Sequence, residues 1–517
     1  MTFGNLEDIA EFKPQVLIAG AGPTALGACL PLIRSGVKVL LVTGGSAKIA
    51  ARNQELAQGS DLIQRNHESL DTNRVRASGG TSHLWGGRCV PLDETDFASR
   101  TWLTIPSWPI THSEISKNYS AAAQILGTLF PEPPIDVLVG ENANLTGLID
   151  SQNLESWTKE QNIFAFHRKE LTASENVLVL EDVHLTDLLI DLDATRLTGA
   201  VLSKDGMRNL EVSISRVVLA TGAIENSRLL LLLKQKSTSL FPKSANFIGS
   251  NYMTHPIVSM PYFELRENLD LEFQKVANQN VRRRISLTAN VQQDLRIGNA
   301  AAFLAREAPD LGSFLGAGKE LSNAISKYGK DLPRKIWNYR KQILKTFKTA
   351  FSSSTQTHAS PKSSATLHVI SEHFPNSRSK ISLGNRLDRF GNQLPNATLE
   401  FCELDRITLV RTAKKLAELL ARSEADYLAI DWKAWELRAM EVFDNPSSHA
   451  HMLGGTPMSE SADTGVTDSW GELHELAGLY CTGTSLFVTS GQANPTLAAV
   501  ALALRTASRI STQIQGH

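Results

Sequence analysis

Two side chains in the last part of the sequence are suited to proton chemistry on an alcohol. His451 opens the segment His451–Met458, and Asn494 follows further along the chain, directly before Pro495. A neutral imidazole accepts a proton near neutral pH, and a carboxamide donates a hydrogen bond to charge that develops on oxygen. A structural alternative fits the same residues: His451 is a hydrogen-bonded core histidine, and Asn494 caps a helix. On these residues alone the structural alternative is preferred.

A glycine-rich turn near the start of the chain has the pattern of a phosphate-binding loop. A short apolar strand, a turn, a helix and a second apolar strand follow one another over residues 16–42. In the turn, Gly20 permits a tight bend, Gly22 lets a pyrophosphate approach the backbone, and Ala25 allows close helix packing. Free N–H groups at the start of the helix would face the negative charge. This order of elements predicts a dinucleotide-binding unit.

The end of the second strand departs from that pattern. A dinucleotide fold normally has Asp or Glu there to bind a ribose hydroxyl, whereas Thr43 and two glycines stand at this point. Thr43 could hydrogen-bond the ribose, although a neutral hydroxyl binds more weakly than a carboxylate. No basic residue replaces the acid, so NADP is not favoured.

The elements that must position these residues recur along the chain. A strand, a small-residue turn and a helix are predicted at Val217–Lys234 and again at Leu479–Ile510, where Pro495 would be the first helical residue. Further helices are expected near Ser113–Gly127, capped by Ser113, and at Leu404–Arg422, where apolar residues recur at helical spacing. We therefore expect an α/β protein, with a Rossmann-like nucleotide-binding domain assembled from discontinuous segments and an α+β substrate domain. The nucleotide-binding domain is predicted to comprise residues 1–110, 166–260 and 441–517, with a cap segment at 111–165 and the substrate domain at 261–440.

Composition excludes several other classes of protein. The 517 residues include 52 Lys and Arg against 53 Asp and Glu, so the chain has no net positive charge that would attract nucleic acid. The four cysteines have no zinc-like spacing, and His449 with His451 lacks a third ligand, so no metal site is expected. No apolar run is long enough to span a membrane, and no secretion signal is present, which favours a cytoplasmic location. The basic stretch 316–348 is expected to be a solvated helix face.

Several segments together resemble the glucose–methanol–choline (GMC) oxidoreductase family. The resemblance spans nearly the whole chain in the family's order. Its motifs are GAGPTA at Gly20–Ala25, GGTSHLWGG at Gly79–Gly87, SWPI at Ser107–Ile110, ATGAIENSRLLL at Ala220–Leu231, GSNYMTHP at Gly249–Pro256, PNSR at Pro375–Arg378, HMLGGTPM at His451–Met458 and the stretch Gly483–Thr496.

The resemblance implies bound FAD and the oxidation of a hydroxyl group to a carbonyl. His451 would be the base that removes the hydroxyl proton, Asn494 would hold the oxygen, and the carbinol hydride would pass to flavin N5. Asn494 in place of a second His is similar to members that oxidise sugars and polyols, with oxygen or another acceptor taking the electrons. The residues that the resemblance assigns to FAD are Gly20, Gly22, Pro23, Thr24, Ala25, Thr43, Gly79, Gly80, Thr81, Ser82, Trp85, Gly86, Val183, Ala220, Thr221, Gly222, Glu225, Gly483, Thr484, Asn494, Pro495 and Thr496.

Departures from the family's pattern keep alternatives open. Leu84 stands where members with covalent flavin have His, so noncovalent FAD is expected and His83 is read as a hydrogen-bonding loop residue. Pro457 replaces a common Arg, and His255 is expected to be structural or to support the residues that line the site. Trp85 either lines the flavin site or fills the hydrophobic core. A non-redox flavin lyase and an inactive flavin-binding protein remain alternative functions.

Overall fold

The computed structural model describes most of the chain. The described residues are 3–61, 67–129, 149–150, 154–193, 195–204, 208–265, 274–276, 278–305, 364–423, 425–426, 432–444 and 450–516. The basic stretch 316–348 and His449 lie outside them.

The described elements alternate between helices and short strands. The helices are α1 (Ile9–Phe12), α2 (Pro23–Arg34), α3 (Ala51–Gln54), α4 (Glu94–Phe97), α5 (His112–Ser116), α6 (Tyr119–Leu126), α7 (Ile163–Ala173), α8 (Ala223–Lys236), α9 (Ala289–Leu295), α10 (Glu403–Ser423), α11 (Trp432–Asp444) and α12 (Thr496–Gln515). Single 3₁₀ turns lie at Leu6–Asp8, Glu55–Ala57, Gly80–His83, Ser244–Asn246 and Gly483–Leu486. The strands are β1 (Val16–Ala19), β2 (Val39–Thr43), β3 (Arg88–Cys89), β4 (Ile149–Asp150), β5 (Leu154–Trp157), β6 (Val177–Glu181), β7 (Val183–Asp191), β8 (Arg196–Lys204), β9 (Arg208–Ser213), β10 (Val217–Leu219), β11 (Ile257–Leu265), β12 (Gln274–Val276), β13 (Gln279–Arg283), β14 (Ile285–Leu287), β15 (Ala300–Ala305), β16 (Ser364–Ser371), β17 (Lys380–Leu387), β18 (Gln393–Thr398), β19 (Ala425–Asp426), β20 (Glu472–Leu473) and β21 (Leu476–Cys481).

The largest sheet has nine strands, and its parallel part carries the site. Strand β1 pairs in parallel with β2 on one side and with β10 on the other, and β6 and β21 extend the parallel pairing outward. Strands that follow β1 in the sequence are therefore added to the sheet on both sides of β1. In open α/β sheets this reversal of strand order creates a crevice beyond the carboxyl ends of the strands, where ligands bind. The expectation of an α/β fold with a Rossmann-like sheet is confirmed.

Burial explains why these short segments form strands. Every residue of β1, β2 and β10 is buried, as parallel strands covered on both faces require. Helix α2 covers one face and packs closely against α12. Gly27 makes this possible, because a Cβ at that position would lie 3.1 Å from the side chains of Val500 and Ala503.

A second body of structure lies beside the parallel sheet. Six strands form the order β19-β11-β16-β15-β14-β4, and neighbouring strands pair antiparallel. Helices α10 and α11 share an apolar core with this sheet, in which Leu409, Leu416 and Trp435 are buried. A separate four-stranded sheet, in the order β12-β13-β5-β3, carries the buried charged side chains of Glu155 and Arg282.

Two helix starts differ from the sequence-based predictions. The helix expected at Ser113–Gly127 is two helices, α5 and α6, and Ser113 is not its cap. Thr111 caps α5: its hydroxyl accepts from the Glu114 N–H at 3.3 Å, and the Glu114 carboxylate accepts from the Thr111 N–H at 2.8 Å. Pro495 occupies the N-cap position of α12, one residue before the helix begins.

The four cysteines are unpaired, and three of them are buried. Within the described ranges, no helix combines the length and apolar character needed to cross a membrane.

Candidate active site

A cavity of about 570 Å³ lies beyond the carboxyl ends of β1, β10 and β21. It brings together the turn after β1, the loop that follows Gly79, the start of α8, and the start of α12. His451 and Asn494 line the cavity with most of the residues assigned to FAD. These lining residues are Gly20, Gly22, Pro23, Thr24, Gly80, Thr81, Ser82, Trp85, Gly86, Val183, Ala220, Thr221, Gly222, Glu225, Thr484, Asn494, Pro495 and Thr496.

The first turn brings backbone close to the cavity. Gly20 has a φ of +117°, and a Cβ there would lie 2.4 Å from the carbonyl oxygen of Ala220, so only glycine fits. Helix α2 begins directly after Gly22, with Pro23 in its first turn. The N–H of Gly79 donates to Ala21 at 3.0 Å, which holds the second glycine loop against this turn.

Four of the predicted FAD residues do not line the cavity. Ala25 is buried beneath the turn, and Gly79 and Gly483 are buried within their loops. The hydroxyl of Thr43 donates to the carbonyl of Gly45, and the side chain is 1% exposed. The structure therefore directs this hydroxyl into the protein, away from a ribose in the cavity.

Arginines that the sequence analysis did not identify surround Glu225. The Glu225 carboxylate lies 2.7 Å from Arg76, 2.8 Å from Arg228 and 3.6 Å from Arg74, and all four residues line the cavity. Burial alone would raise the pKa of Glu225, but Arg76, Arg228 and Arg74 hold it well below its usual range. Glu225 is thus an ionised anchor for three cations. The spacing of three residues between Glu225 and Arg228 on one helix is a local signal for their pairing, whereas no local spacing indicates that Arg74 and Arg76 join them.

A backbone bridge sets His255 opposite His451. Met253 and Leu453 exchange two backbone hydrogen bonds, at 2.9 and 3.1 Å, as an isolated antiparallel bridge. In an antiparallel pairing, residues two positions further along one segment and two positions back along the other face each other. The same register therefore brings the imidazoles together, and their Nδ1 atoms lie 2.7 Å apart.

The hydrogen-bond partners assign a proton to each ring nitrogen. The Nε2 of His255 lies 3.2 Å from the carbonyl of Ser490, which can only accept, so Nε2 carries the hydrogen. In a neutral ring, Nδ1 of His255 is then the acceptor, and Nδ1–H of His451 donates to it. The Nε2 of His451 is left with a lone pair, which accepts from the Nδ2–H of Asn494 at 3.1 Å.

Asn494 is oriented by a fully buried cation. Arg284 has no exposed surface, and its Nη2 donates to Oδ1 of Asn494. Its other donors reach the carbonyl of Gln492 at 3.0 Å and a carboxylate oxygen of Glu155 at 2.9 Å. Because Arg284 has only donors, the Asn494 oxygen must face it, which aims the Asn494 N–H groups at His451.

Burial and nearby cations keep both imidazoles neutral. Burial first, then Arg284 and Arg88, lower the pKa of His451 to about 4. Burial first, then His451, lower the pKa of His255 well below its usual value, and its bond to Ser490 only partly opposes this. At neutral pH the pair therefore has one lone pair at the cavity, on Nε2 of His451.

His451 and Asn494 were predicted from the sequence as site residues, but the residues that position them were not. His255 was expected to be structural or supporting, without a named partner, and Arg284 was not singled out. The GSNYMTHP and HMLGGTPM motifs contain both ends of the Met253–Leu453 bridge, so the available signal was two motifs whose pairing register was unknown. Glu155 and Arg284 are far apart in the chain and belong to no motif.

Comparisons with known proteins agree with this architecture. Residues 375–503 match a family model described as GMC oxidoreductase. This match covers about a quarter of the chain and supports the resemblance to the GMC family over that part. No curated protein matches the sequence.

Solved structures share the fold at low identity. A formate oxidase of Aspergillus oryzae is 16% identical, with a TM-score of 0.55 over 97% of this chain and 98% of that one. An FAD-dependent oxidoreductase from Chaetomium thermophilum is 15% identical, with a TM-score of 0.58 over 97% and 100%. A pyridoxine 4-oxidase from Mesorbium loti is 15% identical, with a TM-score of 0.56 over 98% and 99%.

The cavity fits FAD, the cofactor of the GMC oxidoreductases. At one end, the helix start after Gly22 and the cations Arg74 and Arg76 suit a pyrophosphate. At the other end, the buried indole N–H of Trp85 has no partner among the described residues, although the ring lines the cavity. A ligand with hydrogen-bond acceptors would satisfy it.

Proposed function

We propose that this site oxidises a hydroxyl group of a sugar, glycoside or polyol, with His451 as the base. The observation that carries the proposal is the convergence of one acceptor and one donor. The lone pair on Nε2 of His451 and an N–H of Asn494 now bond each other at 3.1 Å. A hydroxyl group entering between them satisfies both, because its O–H donates to His451 and its oxygen accepts from Asn494.

The chain's residues then prepare the hydroxyl for oxidation. His451 takes the hydroxyl proton, and Asn494 supports the negative charge that grows on the oxygen. Arg284 keeps Asn494 in its donating orientation, and His255 keeps the hydrogen of His451 on Nδ1. When bound, FAD supplies the acceptor for the hydride that leaves the carbinol carbon. Holding the alcohol in one geometry contributes further acceleration.

The position of His451 favours this assignment over a core histidine. Its Nε2 lone pair, which accepts from Asn494, belongs to a residue that lines the cavity, where a substrate hydroxyl can replace that bond. The noncovalent attachment of FAD stays a prediction. It is supported by Leu84 preceding Trp85, and His83 lies 3.0 Å from the carbonyl of Ser78, within its own loop.

Anaerobic bleaching of the flavin by a panel of sugars, glycosides and polyols tests the proposal, and subsequent admission of oxygen identifies the acceptor. We expect His451→Ala to slow flavin reduction by about 10²-fold or more while the flavin stays bound, as its visible absorbance reports. A much smaller effect would refute the assignment of the base. Bound flavin that no alcohol reduces would refute the oxidation itself.

A further inference from the structure

Strand β3 brings a cation to the cavity at its catalytic end. Arg88 lines the cavity with His451 and Asn494. Its guanidinium carbon lies 5.4 Å from the ring centre of Trp157 and 5.0 Å from that of Phe303. These aromatic faces hold the cation in place. In the part of the chain that the structure describes, no group accepts a hydrogen bond from Arg88.

The carboxylate that interacts electrostatically with Arg88 is already occupied. Glu155 lies on β5, the strand next to β3, and is completely buried. One of its oxygens accepts from Nε of Arg282 at 2.5 Å, and the other accepts from Arg284 at 2.9 and 3.1 Å. Both oxygens are thus committed to cations other than Arg88.

This positive charge lies at the substrate end of the cavity rather than at the pyrophosphate end. The charge of Arg88 acts on His451, whose pKa it lowers after burial and Arg284. The pyrophosphate end has its own cations, Arg74 and Arg76, which pair with Glu225. The guanidinium of Arg88 is half-buried. With unused donors, it favours an anion that it can bind through two parallel hydrogen bonds.

We propose that the preferred substrate is a hydroxy acid, whose carboxylate binds Arg88 while its hydroxyl lies between His451 and Asn494. The inference rests on the proposed function and narrows its substrate class, from sugars and polyols in general to those that carry an acid group. The carboxylate stays unchanged in the reaction. Only the carbinol carbon is oxidised, and it loses a hydride and the hydroxyl proton.

Binding of a molecule that cannot be oxidised provides a test independent of turnover. α-Hydroxyisobutyrate has no hydrogen on its carbinol carbon, and its amide differs only in charge. Calorimetry on the holoenzyme should show the acid binding about 10- to 100-fold more tightly than the amide, as expected for a charge-assisted hydrogen-bonded pair. In Arg88→Gln this ratio should fall close to one, and Arg88→Lys should keep part of it. Arg196→Gln, on an exposed side chain, should keep all of it.

Equal binding of acid and amide by the wild type, or an unchanged ratio in Arg88→Gln, would overturn the proposal. If neither probe binds, the same comparison is made by flavin reduction with gluconate against sorbitol and lactate against lactamide. Faster reduction by the acids supports the proposal, and equal rates overturn it. If neutral polyols reduce the flavin as fast as the acids do, this inference alone is refuted. If no hydroxyl compound reduces the flavin, the proposed function is refuted.

Discussion

Replacing His255 by Phe tests the proton assignment at the site most directly. The variant removes the acceptor 2.7 Å from Nδ1 of His451 while keeping a ring of similar size. A buried N–H left without a partner costs about 1–3 kcal/mol. His451 can avoid that cost by moving its hydrogen to Nε2, which removes the lone pair that takes the substrate proton.

The same energy sets the size of the expected effect. At about 1.4 kcal/mol for each factor of ten, His255→Phe should slow flavin reduction by about 5- to 150-fold. His255→Asn should recover most of the rate, because its side-chain oxygen can stand where Nδ1 stood. Anaerobic stopped-flow absorbance with the best alcohol from the screen measures the rate constant, and thermal unfolding measures stability in parallel.

A matched control separates positioning from folding. His167 is also buried, and its Nε2 lies 2.8 Å from the carbonyl of Ile125, outside the cavity. His167→Phe should lower the unfolding temperature without changing the reduction rate constant. Reduction by His255→Phe at the wild-type rate, in a folded flavin-containing protein, would refute the proton assignment.

Three further outcomes are expected. Because burial, Arg284 and Arg88 lower the pKa of His451 to about 4, flavin reduction should be independent of pH above about 5 and fall about tenfold per unit below 4; an inflection near 6.5 would contradict this. Gly27→Val should lower the free energy of unfolding by about 1–3 kcal/mol, since a Cβ there lies 3.1 Å from the interhelical neighbours in α12; unchanged denaturant midpoints would argue against this. Glu372→Gln should lower the free energy of unfolding by about 3–5 kcal/mol, because it removes the carboxylate that pairs at 2.5 Å with the buried guanidinium of Arg100, which is 1% exposed. Chemical denaturation measures this loss, and Glu170→Gln, in an exposed ion pair, is the control.

Local signals explain what the sequence could predict. The turn from Gly20 to Ala25 is specified by the backbone freedom of glycine and by the burial of two flanking strands, so a short window contains the information. Helix α10 was predicted within one residue at each end, because its apolar stripe repeats at helical spacing over many turns. Its expected bounds were Leu404–Arg422.

Contacts between distant segments explain what the sequence could not predict. The series of hydrogen bonds from His255 through His451 and Asn494 to Arg284 depends on a strand-like bridge of one residue pair and on a cation that lies between β13 and β14. Single Arg, Glu and His residues carry no periodic pattern, so their meeting cannot be inferred from spacing. The predicted cap of α5 was wrong because Thr111 and Ser113 are both residue types that cap helices well. The reciprocal hydrogen bonds between Thr111 and Glu114 decide between them.

The position of β21 in the large sheet determines when the fold can close during synthesis. This strand lies between β10 and β8, yet the ribosome makes it far later than either of them. Until β21 arrives, the sheet remains in two pieces with exposed strand edges, which are prone to pair with other chains. Production of this protein should therefore depend on chaperones that shield those edges, and fragments released before Leu476 should aggregate instead of binding the cofactor.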